Sequence, residues 1–298
     1  MFSYSNQDNE LMKVSGFSFV RNAVKYDYPF EESIRSILPL CDEFVIAVGA
    51  SEDDTLERVR AIDSTKIKII ETVWDESLRE GGAILAQQTN IALDNVTGDW
   101  AFYLQADEVV HEQDVPVIRS ALMHHLADTS VEGFLFSYHH FYGSYRYLGD
   151  SRRWYRREIR IVRPRIGIRS WGDAQGFRLN GRKLRVKPLQ ARIYHYGWVK
   201  PPEVQQAKQM TFNKLWHPDE WVKKNVRAGT EYDYSQGGTL SLFQGIHPAV
   251  MNKRIQKENW GFEYDHRKVQ TPLKERILNW VEAKTGWRIG EYKNYDVI

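Results

Sequence analysis

From Lys13 to Glu108, short apolar runs alternate with stretches of helical spacing, and this alternation restricts the fold more than any other feature of the chain. Lys13 to Val20 (KVSGFSFV) reads as a first strand ending at Arg21-Asn22. Pro29 opens a helix with Glu31 and Glu32 in its first turn and Phe30, Ile34, Ile37 and Leu38 on one face. Phe44 to Val48 and Lys66 to Val73 read as the second and third strands, with a short helix carrying Leu56, Val59 and Ile62 between them. A helix over 81–95 turns Ile84, Leu85, Ile91 and Ala92 inward, and Trp100 to Leu104 follows as a short buried strand. Strands separated by helices in this way build a parallel sheet through right-handed crossovers. The expected class is α/β.

The fourth strand stops abruptly at Gln105-Ala106-Asp107-Glu108. Open α/β sheets bind ligands in the crevice outside the carboxyl ends of their strands. Carboxylates grouped there suit a hard divalent cation that also holds substrate phosphates, whereas the plain alternative is a solvated acidic loop. After Asp114 comes a helix with Ile118, Ala121, Leu122 and Leu126 inward, and then the character changes. Residues 133–145, 158–162 and 191–196 read as strands, separated by the basic, aromatic run Arg152-Arg153-Trp154-Tyr155-Arg156-Arg157, whose ordinary reading is a strand edge protected by charge. Pro201-Pro202 begins a helix with Val204, Ala207, Lys208, Thr211, Phe212 and Leu215 at helical spacing. A last amphipathic helix, Pro272 to Lys284, carries Leu273, Ile277, Trp280 and Val281 on one face. It is expected to pack on the body, with a dimer contact or a membrane surface met through Lys274, Arg276 and Lys284 as alternatives. No linker divides the chain. One domain over 1–216 with a loop-rich, helical extension over 217–298 packed on it is the expected organisation.

Composition excludes several classes. At 298 residues the chain has ample length for a core, and 41 Lys plus Arg against 39 Asp plus Glu give no basic excess to recruit nucleic acid. A single cysteine, Cys41, rules out an internal disulfide framework and fits a reducing compartment. No run approaches the ~20 apolar residues of a membrane span, and the first ten residues lack the pattern of a signal peptide, so a cytoplasmic protein is expected. Aromatic residues make up 13% of the chain and concentrate after residue 134, where they could pack a core or stack on sugar rings.

Taken in order, Phe19-Val20-Arg21-Asn22, Ser51-Glu52-Asp53-Asp54-Thr55, Gln88-Thr89-Asn90, Thr97-Gly98-Asp99-Trp100 and Gln105-Ala106-Asp107-Glu108 resemble the GT-A-type glycosyltransferases, most nearly the family-2 group of inverting, nucleotide-sugar-dependent enzymes. The resemblance covers residues 13–112 and continues more weakly through His195-Tyr196-Gly197-Trp198-Val199. It implies a GT-A-like (Rossmann-like) mixed, mostly parallel sheet with a helical C-terminal extension. The chain departs from the family pattern in three places. The first acidic pair of the second-strand loop is missing, the usual Arg-Asn pair stands as Thr89-Asn90, and the usual Leu-Asp-Ala-Asp-Glu stands as Leu104-Gln105-Ala106-Asp107-Glu108.

What the resemblance implies can be set on residues. Val20, Arg21, Gly49, Asp53, Gln88, Gln105 and Asp107 would meet the nucleotide-sugar donor. Asp107, with His195 as second ligand, would hold Mn²⁺ or Mg²⁺ against the leaving diphosphate. Asp173, in Trp171-Gly172-Asp173-Ala174, would be the base that takes the acceptor's proton, with Glu158 as the alternative. Trp171 and Trp198 would stack on the acceptor, a glycan or a lipid-linked species; Trp154, Tyr155 and Trp216 could extend that groove, and the arginine run 152–157, apart from its ordinary reading as a charged strand edge, could meet an anionic acceptor such as a phosphorylated glycan or a lipid head group. Expected partners are thus the donor and this acceptor, with no nucleic acid and with peripheral membrane contact or self-association open. His139-His140 and His124-His125 lack ligand spacing and are assigned no metal. Two other classes compete. A nucleotidyltransferase would need a Gly-rich loop after the first strand, and residues 19–28 contain no glycine. A catalytically inactive GT-A-like glycan- or nucleotide-binding protein would use the Arg/Trp/Tyr run by stacking and phosphate contact.

Overall fold

A computed structural model describes residues 12–78, 80–226, 229–265 and 272–298. In chain order the first half forms β1 (Val14–Val20), α1 (Phe30–Ile37), β2 (Glu43–Gly49), α2 (Thr55–Arg60), β3 (Ile67–Thr72), α3 (Ala83–Leu93) and β4 (Trp100–Tyr103). β5 (Glu108–Val110), α4 (Val115–His124), β6 (Gly133–Tyr142), β7 (Tyr147–Gly149), β8 (Arg157–Val162), the β9–β10 hairpin (Ile168–Trp171, Gly176–Leu179) and β11 (Leu184–Trp198) follow. The chain closes with α5 (Pro202–Asn213), α6 (Asp219–Asn225), β12 (Leu240–Leu242), α7 (Asn252–Ile255), α8 (Leu273–Thr285) and β13 (Tyr295–Val297).

Alternation at the start of the chain produces parallel pairing, as expected. β1 runs parallel to β2, with Ser15 opposite Glu43 and Val20 opposite Val48, and parallel to β4 on its other side, with Phe17 opposite Tyr103. β3 continues the parallel set beyond β2. Every residue of β2 is buried, which is why that strand reads as a continuous apolar run rather than an alternating one. Phe44, Ile46 and Val48 pack with Phe30, Ile34 and Ile37 of α1 on one face, while Val45 and Ala47 meet Ile84, Leu85 and Ala92 of α3 on the other. Helices on both faces of parallel strands are the outcome.

Beyond β4 the pairing turns antiparallel, through β8 to β6 and then to β7 and β12. β11 is longer than the 191–196 segment read as a strand; it lies parallel to β6 and to β13 and antiparallel to β5. Residues after 216 therefore supply two strands, β12 and β13, to the same sheet system. The last helix differs from its expected packing. Leu273, Ile277 and Trp280 are 70%, 55% and 64% exposed, and no residue of α8 is buried. Its tie to the body is polar: Glu282 accepts hydrogen bonds from Arg152 and Arg156. None of the described helices is long and apolar enough to cross a membrane.

Candidate active site

Parallel pairing brings the carboxyl ends of β1 and β4 to one edge of the sheet. There, with the start of α3 and one face of α5, they enclose a cleft of ≈ 680 Å³. Val20, Arg21, Gln105, Asp107, His195 and Trp198 all line it, so six of the residues singled out in the sequence converge although they are spread over 178 positions. Asp173 lies on the same wall.

Strand pairing sets the central contact. β5 places Glu108 opposite His195, and the Tyr196 N–H donates to the Asp107 carbonyl at 2.8 Å. His195 Nε2 thereby stands 3.8 Å from Asp107 Oδ2. A Cβ at Gly197 would lie 2.6 Å from that oxygen and 2.7 Å from that nitrogen, so the approach needs glycine at 197. β6 runs parallel to β11 with His140 opposite His195, and their Nδ1 atoms are 3.1 Å apart. His140 Nε2 lies 2.8 Å from the Tyr155 carbonyl, which can only accept. That nitrogen therefore carries the proton, His140 Nδ1 accepts, and His195 donates from its own Nδ1. Burial, the largest influence on each, lowers the pKa of both imidazoles and keeps them neutral. His195 Nε2 is left as a lone pair facing a carboxylate. His140, assigned no metal from its spacing, acts here by orienting His195.

Asp107 is buried, and burial alone would raise its pKa. The charge of Lys208 leads the influences that outweigh that and hold its carboxyl below the ordinary range. Lys208 donates to the Gly197 carbonyl at 2.9 Å and to Asp107 Oδ2 at 3.4 Å. Its ammonium and that of Lys200 lie 4.6 and 4.5 Å from the ring centre of Tyr28. Lys208 sits on a helix face otherwise read as core. Its signal in the sequence is a cation among Val204, Ala207, Thr211 and Phe212, where burial demands a partner.

The two carboxylates at the end of β4 separate. Asp107 faces the cleft, whereas Glu108 begins β5 with a fully buried side chain. There it accepts two hydrogen bonds from Arg160, both at 2.8 Å, one from Tyr138 at 2.8 Å and one from the Gln105 N–H at 3.1 Å. Burial opposes the charge on Arg160, but Glu108 outweighs it and raises that pKa well above the usual value. The expectation that both acids serve a cation is thus corrected: neighbouring residues on an extended chain point to opposite sides.

Other residues implied by the resemblance fall outside the cleft wall. Asp53 accepts from the Lys25 N–H at 2.6 Å and the Thr55 N–H at 3.0 Å, fastening the β2 loop to the β1 loop, while its neighbour Glu52 lines the cleft. Gln88 is fully buried and accepts from Thr72 Oγ1 at 2.6 Å, bracing α3 against β3. Gly49 supports Trp74, because a Cβ there would stand 2.4 Å from the indole nitrogen. Trp74 itself lines the cleft with Arg21 over its ring at 5.2 Å, a residue the sequence reading passed over. The Nε1 atoms of Trp74 and Trp216 are buried without a partner among the described residues, and both side chains line the cleft. Trp171 is 55% exposed and lines an adjacent cavity instead.

Asp173 occupies the β9–β10 turn, where Gly172 and Ala174 have φ of 62° and 64°. Burial raises its pKa. Glu158, buried beside it at the start of β8, is pushed up to about 8; burial dominates, Arg160 opposes it, and Asp173 and Glu108 reinforce it. The sign for stability follows. Between pH 4.5 and about 8 the folded chain keeps a proton on Glu158 that the unfolded chain has lost, so this group's contribution falls as pH rises and is gone above about 8. Glu158→Gln imitates the protonated form at every pH. It should melt with wild type at pH 4.5 and be more stable at pH 8.5 by on the order of 4 kcal/mol. Parallel melting curves at both pH values would show that Glu158 is not held protonated.

No family model matches the sequence, and no curated protein matches it. Among solved structures the chain is similar to S. aureus TarS, at 16% identity over 67% of this chain and 39% of that one, with a TM-score of 0.38. It is similar to glucosyl-3-phosphoglycerate synthase from Mycobacterium tuberculosis in complex with Mn²⁺, UDP and phosphoglyceric acid, at 20% identity over 46% and 45% with a TM-score of 0.30. Mannosyltransferase PcManGT from Pyrobaculum calidifontis in complex with GDP-Man and Mn²⁺ gives 22% identity over 41% and 34% with a TM-score of 0.32. The chain spans less than half the length of each of these structures.

Proposed function

We propose that this protein is an inverting glycosyltransferase that moves a hexosyl group from a nucleoside diphosphate sugar to a hydroxyl of a glycan or lipid-linked acceptor, assisted by a divalent cation. The observation that carries the reading is the pair formed by Asp107 Oδ2 and the unprotonated His195 Nε2, 3.8 Å apart in the cleft at the sheet's carboxyl edge. A carboxylate oxygen and an imidazole lone pair turned toward one another fit a divalent cation. Among the described residues no group of three such side chains forms, so the rest of the shell would fall to phosphate and water. When bound, the ion supplies positive charge to the diphosphate as it leaves.

The chain's own residues supply the remainder. Lys208 and Arg21 place cations on the cleft wall, and the unpartnered indole N–H groups of Trp74 and Trp216 offer donors to ribose or sugar oxygens. Gln105 donates weakly to the Ala174 carbonyl at 3.4 Å, which leaves its amide able to turn to a ribose hydroxyl. The acceptor oxygen bonds to the anomeric carbon while that carbon's bond to the diphosphate oxygen breaks, and the hydroxyl proton passes to Asp173. Asp173 suits that role because burial raises its pKa, which strengthens its carboxylate as a base, and because it lines the cleft. Asp173→Asn should lower transfer by about 10²–10⁴-fold, the usual worth of a general base. Donor affinity should be unchanged, and full turnover in this variant would remove Asp173 from the mechanism.

The reading as a whole is tested by melting the protein with UDP or GDP, with and without Mn²⁺, and by screening nucleotide sugars for diphosphate release. Ligand that binds the native state raises the melting temperature. A response to nucleotide that strengthens with metal is expected; no response to any nucleoside diphosphate would overturn the proposal.

A further inference from the structure

A second cavity of ≈ 350 Å³ adjoins the cleft, between the loop 151–157 and residues 288–295 that follow α8. Tyr155, Asp173 and Gln175 line both spaces, so Asp173 stands in the partition. The basic run expected to shield a strand edge forms one wall, and Arg288 joins it from the other side. Glu282 and Glu291 engage part of this charge. Arg152 donates to Glu282 at 2.7 Å, and Arg156 donates to Glu291 at 2.8 and 2.7 Å. Arg153 and Arg157 are exposed and form no ion pair among the described residues; the Arg153 head donates to the Gln236 carbonyl and lies 4.9 Å from the centre of the Trp154 ring.

Polar atoms of the cavity lack partners as well. Glu158 and Asn294 are 5% and 6% exposed and line it, yet Glu158 Oε2 and Asn294 Oδ1 have no hydrogen-bond partner among the described residues. Trp154 Nε1 is in the same position. Buried polar atoms are nearly always satisfied, so three unpartnered atoms in residues around one cavity single it out as a polar site. Guanidinium groups, an indole N–H and a protonated Glu158 carboxyl offer donors to phosphoryl oxygens, and Asn294 Oδ1 accepts from a hydroxyl.

We propose that this second cavity is the acceptor site and takes a polyhydroxy compound bearing a phosphate, with the phosphate against Arg153 and Arg157 and the reacting hydroxyl at Asp173. A phosphate has enough oxygens to meet two guanidinium forks at once. The assignment rests on the glycosyltransferase reading and names its acceptor class. The phosphate has two sources, a soluble sugar or polyol phosphate and a lipid head group. The outward side of α8, with Trp280 at 64% exposure and Lys274, Arg276 and Lys284 on the same helix, is followed just past the helix end by Trp287 at 63% and then by the cavity wall, and it suits an anionic bilayer surface.

The test uses the full chain and the Arg153→Ala/Arg157→Ala variant, whose substitutions are exposed and should not change the melting temperature. Binding of sn-glycerol 3-phosphate and of glycerol is followed by tryptophan fluorescence. Co-sedimentation is measured with phosphatidylcholine vesicles with and without phosphatidic acid. The expected result is saturable binding of a phosphate-bearing probe in one arm, absent for glycerol or plain phosphatidylcholine and at least tenfold weaker in the variant. The arm that responds identifies the source. No arginine-dependent binding in either arm overturns the proposal, even if nucleoside diphosphates still raise the melting temperature. Arginine-dependent phosphate binding in a protein that no nucleoside diphosphate stabilises overturns the acceptor role together with the glycosyltransferase reading.

Discussion

Asp107→Asn should lower diphosphate release from the preferred nucleotide sugar by about 10²–10³-fold, the usual loss when one charge-stabilising group is taken from a preorganised site. The substitution keeps the shape of the side chain and one oxygen but removes the charge that faces His195 Nε2 and Lys208. Metal dependence supplies the specific readout. Wild type should show a rise in melting temperature with Mn²⁺ and nucleoside diphosphate together, and the variant should lose the metal-dependent part while keeping its response to nucleotide alone. A variant that turns over at the wild-type rate, or keeps the metal response in full, would show that the carboxylate is not where the cation acts.

A second large effect is expected in stability rather than chemistry. Glu108→Ala strands the Arg160 guanidinium, which is fully buried and donates twice to Glu108 at 2.8 Å. Breaking a buried pair from one side leaves an uncompensated charge and costs about 3–5 kcal/mol, which lowers the melting temperature by on the order of 10 °C. The Tyr138 hydroxyl loses its acceptor at the same time. The double variant Glu108→Ala/Arg160→Met should recover much of the loss, because a buried ion pair replaced on both sides is often neutral in net stability. Chemical denaturation of the two variants measures this directly; equal stability of Glu108→Ala and wild type would mean that the pair is not buried as described.

Together the two substitutions separate residues that look alike in the chain. Asp107 and Glu108 are adjacent acids after one buried strand, yet one faces the cleft and the other holds the sheet together. The same ambiguity affects Glu52 and Asp53, where backbone N–H groups of Lys25 and Thr55 claim Asp53 and leave Glu52 on the cleft. Apolar periodicity hid Lys208 as well, since helical spacing reports which face is inward and not whether a cation on that face meets a carboxylate. His140 was invisible to ligand spacing because its partner is 55 residues away, opposite it across a strand pair.

The order of apolar runs and helix-spaced stretches was enough to determine the parallel half of the sheet and the edge where its strands end, because burial patterns are local and each strand carries its own. It also determined that Arg21, Gln105 and Asp107 would gather there, since strand ends in a parallel set share one side. Only the tertiary structure decided which of two adjacent acids faces the cleft, that β11 carries His195 to within 3.8 Å of Asp107, and that the arginine run walls a cavity. Those outcomes depend on pairing between segments far apart in sequence, where register turns a side chain to one face or the other and no local signal records the choice.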